Sequence, residues 1–388
     1  MAAAVGTGRC AYVVERRGRY CRMVPATGSL YCGEHLIHDT AGQQARVRVR
    51  CPLDPSHTIY EDQLSKHVRR CNAAKKPRPT CYRDGVNCVQ GIVDPVSVSL
   101  SDCVEARLTE LCERVNTIYQ AECVGENIIT EQVLTHSSME VDLRDLSNSP
   151  VARKHLTQQS SIVGHLDRLS LLASKDTAYI EFGAGRGKLS EKIIAALANP
   201  SNVHLVLVDR SSCRRKADGA LRTLSLEGAT YHRLLMDIQD FDLGALEVLN
   251  SVQSVVGVSK HLCGVATDLA LRCLVQGRTA KFSGALIALC CHHRATWSQL
   301  AGREYLIQLG FSPEDFVLLS HMTSWAVCGV RSEQAGYVPH KNELIGIMCK
   351  RIVDYARLKY LRDNGLSAQL LYYVTRDTCL ENVLMLVQ

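Results

Sequence analysis

The chain has 388 residues, 18 of them cysteine, with 45 Lys+Arg against 39 Asp+Glu; that length admits one large domain beside smaller modules, and that many cysteines favour thiolate metal sites in a reducing compartment over disulfides. No apolar run approaches the roughly 18 residues of a membrane span, and the first ten residues lack a signal peptide's apolar core, so no membrane partner is expected and the expected residence is intracellular, in nucleus and/or cytoplasm. The excess positive charge sits at the front, with 15 Lys+Arg against 7 Asp+Glu in residues 1–90 and a net of −2 over the rest, as a region that meets phosphates would have it.

Residues 1–45 carry Cys10, Cys21, Cys32 and His35, two ten-residue gaps followed by a Cys-x2-His pair. Three thiolates and an imidazole complete a tetrahedral Zn²⁺ site. The stretch between them, with Arg16, Arg17, Arg19, Arg22, Gly18 and Gly28, has too few apolar residues for its own core, so metal is expected to fold it; the competing reading is scattered buried cysteines. Residues 46–78 repeat the idea with Cys51-x5-His57 and His67-x3-Cys71, the latter pair sharing one helix face. Lys75, Lys76 and Arg78 with two prolines read as a basic linker. Cys81 and Cys88 find no second ligand pair and read as ordinary cysteines. Over 79–150, a linker, the spacing of Leu108, Leu111, Val115 and Ile118 predicts an amphipathic helix within 101–120 that packs on the main domain; 121–150 has no clear pattern. Pro150 opens a further helix through His155, Ile162, Leu166, Leu169 and Leu172.

Residues 151–388 read as α/β. The run Ala178–Phe182 predicts a strand that ends near Glu181; Gly183, Gly185 and Gly187 follow, then a helix through Leu189, Ile193 and Ile194. This is the strand, tight turn and helix of a nucleotide-binding sheet. A dinucleotide fingerprint would want Gly or Ala where Lys188 stands. Val203–Asp209 predicts the second strand, placing Asp209 to accept hydrogen bonds from ribose hydroxyls, and Asp237 ends the next apolar run beside the expected adenine pocket. Either acid could instead simply start a loop. Ser251–Lys260 predicts a fourth strand leading into His261, Leu262, Cys263 and Gly264. Ala285–Cys290 predicts a fifth, leading into Cys291, His292, His293 and Arg294. Both put titratable groups at strand carboxyl ends, the ligand edge of such sheets. Trp325 and Cys328 fall in a loop-like stretch. A helix runs from Leu344 through Ile352 and Leu358 to Leu361, stopped by Gly365, and Gln369–Val374 with Val383–Val387 predict a closing antiparallel pair.

The G-x-G-x-G turn after a carboxylate resembles motif I of S-adenosylmethionine (SAM) methyltransferases. The pattern Cys-Pro-x-Asp-Pro-x-His-Thr…His-x3-Cys-Asn, from Cys51 on, resembles the CHHC finger of RNA-associated proteins. The Cys-x10-Cys-x10-Cys-x2-His finger before it, the Lys154-His155-Leu156-x-Gln158-Gln159 stretch, Ser259-Lys260-His261-Leu262-Cys263-Gly264 and Cys290-Cys291-His292-His293-Arg294 are similar, in the same order, to the eukaryotic tRNA ribose 2′-O-methyltransferases acting on acceptor-stem nucleotide 4. The resemblance implies a Rossmann-like SAM-dependent methyltransferase domain preceded by two small zinc fingers and a helical linker, with SAM and two structural Zn²⁺ as cofactors and tRNA as partner. It further implies SAM contacts at Glu181, Gly183, Gly185, Gly187, Asp209 and Asp237. Two departures bear on substrate preference: Ala295 stands where the family often has Cys, and the loop from Arg331 to Lys341 is short.

Methyl transfer to a poor hydroxyl nucleophile asks for alignment plus a base or a nearby cation. Lys260 would polarise the oxygen, or take its proton if burial depresses its pKa; His261 would take the proton directly; His292 is a weaker third. The bland readings are a surface lysine and hydrogen-bonded turn histidines. A metal held by Cys290, Cys291, His292 and His293 is disfavoured, because four consecutive residues do not comfortably surround one ion. Two other classes stay open: a cytosine-C5 enzyme with Cys263 as nucleophile, though Leu262 precedes that thiol rather than the usual Pro or Thr, and a non-catalytic RNA-binding adaptor.

Overall fold

A computed structural model of the chain describes residues 9–14, 19–39, 47–55, 57–71, 78–124, 129–211, 217–224, 228–327 and 341–388. Arg16, Arg17, Gly18, Lys75, Lys76, Cys328 and the short loop 331–340 lie outside them. The chain divides after Arg78 into two compact units.

In the first unit the antiparallel pair β1 (Val13–Val14) and β2 (Arg19–Tyr20) is followed by a second, β3 (Arg48–Arg50) and β4 (Thr58–Tyr60), and by the short helix α1 (Leu64–Val68). Cys10, Cys21 and Cys32 are themselves the buried centre of the first finger. Glu34 ties the two fingers together, accepting from the Thr58 backbone N–H at 3.1 Å and pairing with Arg48 at 3.4 Å.

The second unit is built on a mixed sheet of eight strands: β5 (Thr130–Glu131), β6 (Lys175–Phe182), β7 (Ser201–Asp209), β8 (Ala229–Leu235), β9 (Ser254–Cys263), β10 (Phe282–Cys290), β11 (Ala368–Tyr372) and β12 (Val383–Val387). Their order across the sheet is β5-β11-β12-β10-β9-β6-β7-β8. The block from β10 to β8 is parallel, and β12 runs antiparallel between β10 and β11. Parallel strands are covered on both faces and therefore read as unbroken apolar runs. In β6, Ala178, Ile180 and Phe182 join one buried cluster with helix α7 (Val265–Gln276), while Tyr179 joins the other with α4 (Pro150–Arg168) and α5 (Lys188–Ala196). The remaining helices are α2 (Glu105–Ile118), α3 (Glu140–Arg144), α6 (Asp218–Leu224), α8 (Arg303–Gln308), α9 (Pro313–Met322) and α10 (Lys341–Asp363). Leu111 and Val115 of α2 pack with Phe316, Leu319 and Val353 in a third cluster.

Several expectations shift. The stretch 79–150, expected as a linker with a helix packed on the main domain, lies within the second unit along its whole described length. Asn87 donates to the carbonyls of Ile238 and Phe241 at 2.7 and 2.8 Å, and Asp94 accepts from Ser298. The unpatterned 121–150 contains β5 and α3, too short for periodicity to register. Trp325 lies in a helical turn, Thr323–Ala326, that continues α9 rather than in a loop. Helix α4 stops at Arg168, where Ser170 turns left-handed at φ 57°. β9 extends past Lys260 to Cys263, so the residues expected to follow this strand belong to it.

Candidate active site and metal centres

The two finger sites are the simplest geometry. The donor atoms of Cys10, Cys21, Cys32 and His35 lie within 4.8 Å of one another, as do those of Cys51, His57, His67 and Cys71. In the second site Cys51 Sγ is 3.7 Å from Cys71 Sγ and 3.2 Å from His67 Nε2. Zinc–ligand bonds of about 2.0–2.3 Å in a tetrahedron put neighbouring donors about 3.3–3.8 Å apart, so both donor sets fit one Zn²⁺ ion. All five thiols are buried and none is in a disulfide.

In the second unit, Gly183, Gly185 and Gly187 all take positive φ (63°, 50° and 76°). At Gly187, left-handed at φ 76°, a Cβ would sit 2.6 Å from Leu207 Cδ2, so any side chain there would be strained and would displace Leu207. Glu181 is buried beneath the turn and accepts from both the backbone N–H and the hydroxyl of Ser190, in the first turn of α5. It fixes the helix end and does not line the cleft above. Burial pushes its carboxyl up to about 7, against the opposing pull of Ser190, Arg233 and Lys260. Asp209 accepts from the Gly185 N–H at 2.7 Å and from the Ser211 N–H at 2.8 Å. Asp237 caps the turn after β8 through the Gln239 N–H. Both acids thus start loops, and both also line a cleft, the second reading adding to the first.

That cleft, of about 490 Å³, opens at the carboxyl edge where strand order reverses between β6 and β9, and is lined by Gly183, Asp209, Asp237, His261, Cys263 and Arg294 among others. Its volume is that of a small-molecule site. His261 is the extra residue of a β-bulge: Ala288 pairs with Lys260 and Leu289 with Leu262. It is left-handed at φ 63°, a strained conformation that collects at functional sites. The bulge sends two side chains toward α4. Lys260 Nζ lies 3.0 Å from His155 Nδ1, and His261 Nε2 donates to Gln158 Oε1 at 3.2 Å. Burial pulls Lys260 down to about 8 although Glu181 opposes it, and burial with the adjacent Lys260 charge pulls His261 down to about 4. Near pH 8, therefore, His261 is neutral and Lys260 is divided about evenly between ammonium and free amine.

His292 is elsewhere. It is buried, with Nε2 2.6 Å from Asp354, which also holds Arg351 at 2.7 Å. Sequence reasoning passed over His155 and Arg294 as members of the site. Both lay inside quoted stretches, but their partners come from elements more than a hundred residues away, or from another loop, and only the fold joins them.

An α/β sheet with a ligand cleft at its carboxyl edge, joined in one chain to two four-donor metal fingers, defines a class: an enzyme fold with accessory zinc modules. The family description "Methyltransferase TRM13" matches residues 157–388, "CCCH zinc finger in TRM13 protein" residues 8–36, and "U11-48K-like CHHC zinc finger" residues 48–72. The mouse tRNA:m(4)X modification enzyme TRM13 homolog is 34% identical, covering 97% of this chain and 94% of its own. The TRM13 enzyme of Eremothecium gossypii is 33% identical, over 99% and 95%. Among solved structures the small RNA methyltransferase HEN1 matches at a TM-score of 0.33 and 10% identity, over 59% of this chain and 25% of that one. The chain belongs to the TRM13 methyltransferase family.

Proposed function

We propose that the protein transfers a methyl group from SAM to a ribose 2′-hydroxyl at nucleotide 4 of the tRNA acceptor stem. The observation that carries this is the pairing, at one sheet edge, of the glycine turn and its two acids with a strained bulge presenting Lys260 and His261. A Rossmann-like reading fits the parallel block and its reversal at β6–β9. Gly183, Gly185, Asp209 and Asp237 would hold SAM, which supplies an electrophilic methyl when bound; each carboxylate oxygen of Asp209 retains a lone pair beyond its backbone bond. Glu181 and Gly187 act from beneath, shaping the turn.

Lys260 is the better proton acceptor. A base works best with a pKa near the working pH, and about 8 meets that where about 4 for His261 does not. The Lys260–His155 contact holds the amine in place, and the Gln158 carbonyl requires the proton of neutral His261 on Nε2, leaving Nδ1 as acceptor. His292, through Asp354, is a positioning residue for the loop after β10. Duplex RNA shows its 2′-hydroxyls in a shallow groove, so an acceptor-stem ribose is reachable without extruding a base. The test is nucleoside analysis of tRNA labelled from methyl-tritiated SAM. Label in a 2′-O-methylnucleoside of the acceptor stem, lost in Asp209→Ala, is the expected result. Because Cys263 lines the cleft, a second reading keeps cytosine C5 as acceptor, and label on the base would establish it instead.

A further inference from the structure

Beyond the two fingers, the fold assembles a third group of thiols from two strand ends. Cys263 closes β9 and Cys290 closes β10; the two are register partners, with their sulfurs 3.3 Å apart. Cys291 follows, and in a continuing strand its side chain would point to the opposite face from that of Cys290. Instead Cys291 is left-handed at φ 49°, and its sulfur lies within 4.8 Å of both others. The loops that carry the trio are pressed together. At Gly264, directly after Cys263, a Cβ would fall 2.5 Å from Arg294 Cβ. Cys81, Cys273 and Cys349, by contrast, are buried but belong to no group of three donors among the described residues.

We infer that Cys263, Cys290 and Cys291 form a third metal site, taking Zn²⁺ through three thiolates with the fourth position facing the cleft. Thiolate donors select soft or borderline ions, and three protein ligands with one open position is the pattern of zinc sites that keep a water or a substrate atom. A tetrahedral zinc thiolate site spaces its sulfurs at about 3.8 Å, and the observed 3.3 Å pair reaches that by a small side-chain adjustment. It is far from the roughly 2.05 Å of a disulfide. Cys290 is buried, while Cys263 lines the cleft and gives the site its open side. Arg294 lines the same cleft and offsets the charge of three thiolates on a divalent ion; the Glu381 carboxylate, whose charge also reaches the trio, is paired with Lys350. His292 takes no part, since it is committed to Asp354. The ligands thus come from two strands, which removes the crowding of four consecutive residues.

A Cys263 thiolate held by zinc would not serve as a C5 nucleophile, so the inference goes with the ribose reading; the metal count is taken without RNA and stands apart from the acceptor assay. Metal content of the full-length chain, purified with added zinc and without chelator, tests the site. Three zinc ions per chain are expected, one for each donor group, falling to two in Cys263→Ala and in Cys291→Ala and staying at three in Cys273→Ala. In cobalt-loaded protein the thiolate charge-transfer absorption should fall by three-eighths in either variant, because the trio supplies three of the eight cysteine ligands. This second readout is taken on the folded fraction alone, so a poorly folding variant still decides the matter. Two ions in the unmodified chain, a third ion that survives both variants, or a Cys263–Cys290 disulfide in unreduced protein would each overturn the site.

Discussion

At Lys260 a single amine meets opposing demands. Burial lowers its pKa to about 8 while the Glu181 charge holds it up. If the neutral amine accepts the proton, methyl transfer rises with pH through about 8 and falls below it, as the ammonium form takes over. Lys260→Met should cost about 10²–10⁴-fold in kcat and erase that limb of the profile; a full rate with the limb intact would remove Lys260 from the reaction. Glu181 makes a second, purely thermodynamic prediction. Its folded-state pKa of about 7 is raised above the ordinary 4.5, so its contribution to stability is full below the unfolded value and is lost as pH rises through 7. One pKa unit is about 1.4 kcal/mol, so the loss amounts to about 3 kcal/mol. Melting of the second unit should therefore decline between pH 5 and 8, and Glu181→Gln should flatten that decline. The stretches that carry the candidate residues were legible because motifs keep their own neighbours. The ionisation of the candidates within them was not, because the burial of Lys260 and the nearness of His155 are set by α4, over a hundred residues earlier in the chain.

At the scale of elements, the fingers stand out because their folding energy comes from ligands more than from apolar area. The first finger's buried centre is three cysteines with only Tyr12, Val14 and Tyr31 against them, so removing metal should unfold it outright. Chelation, or Cys51→Ser for the second finger, is expected to abolish the fingers' own calorimetric transition and leave that of the 79–388 unit in place. A single merged loss of both would show that the units do not fold separately. If the basic fingers grip a tRNA backbone, binding should weaken about linearly on a log–log plot against salt, and Arg50→Ala with Arg69→Ala, both exposed, should reduce the slope. Spacing made the fingers and the long strands readable in advance. The bulge at His261 left no trace in the sequence, since a bulge is defined only against the partner strand. The two-residue β5 and five-residue α3 are shorter than any period that could announce them.

Across the whole molecule, the second unit is held by a buried ionic chain as well as by apolar clusters. Arg357 forks onto Asp268 of α7 at 2.9 and 2.8 Å and reaches Asp354 within α10; Asp354 in turn holds His292 at the end of β10. Breaking such a chain strands charges in the interior, and Arg357→Met should cost about 3–5 kcal/mol, read as a lower melting temperature of the second unit with finger melting unchanged. The order of the sheet has another consequence. β12, the latest of its strands in the sequence, lies between β10 and β11, with all five of its residues buried. While the chain is being made, the fingers have everything they need almost from the start. The sheet must wait, with the long apolar edge of β10 uncovered, until the ribosome releases Val383–Val387. A chain lacking Val383–Val387 would thus keep its finger ligands on a domain with an open, sticky edge. Chaperones that shield such edges would be needed most until β12 has emerged and paired.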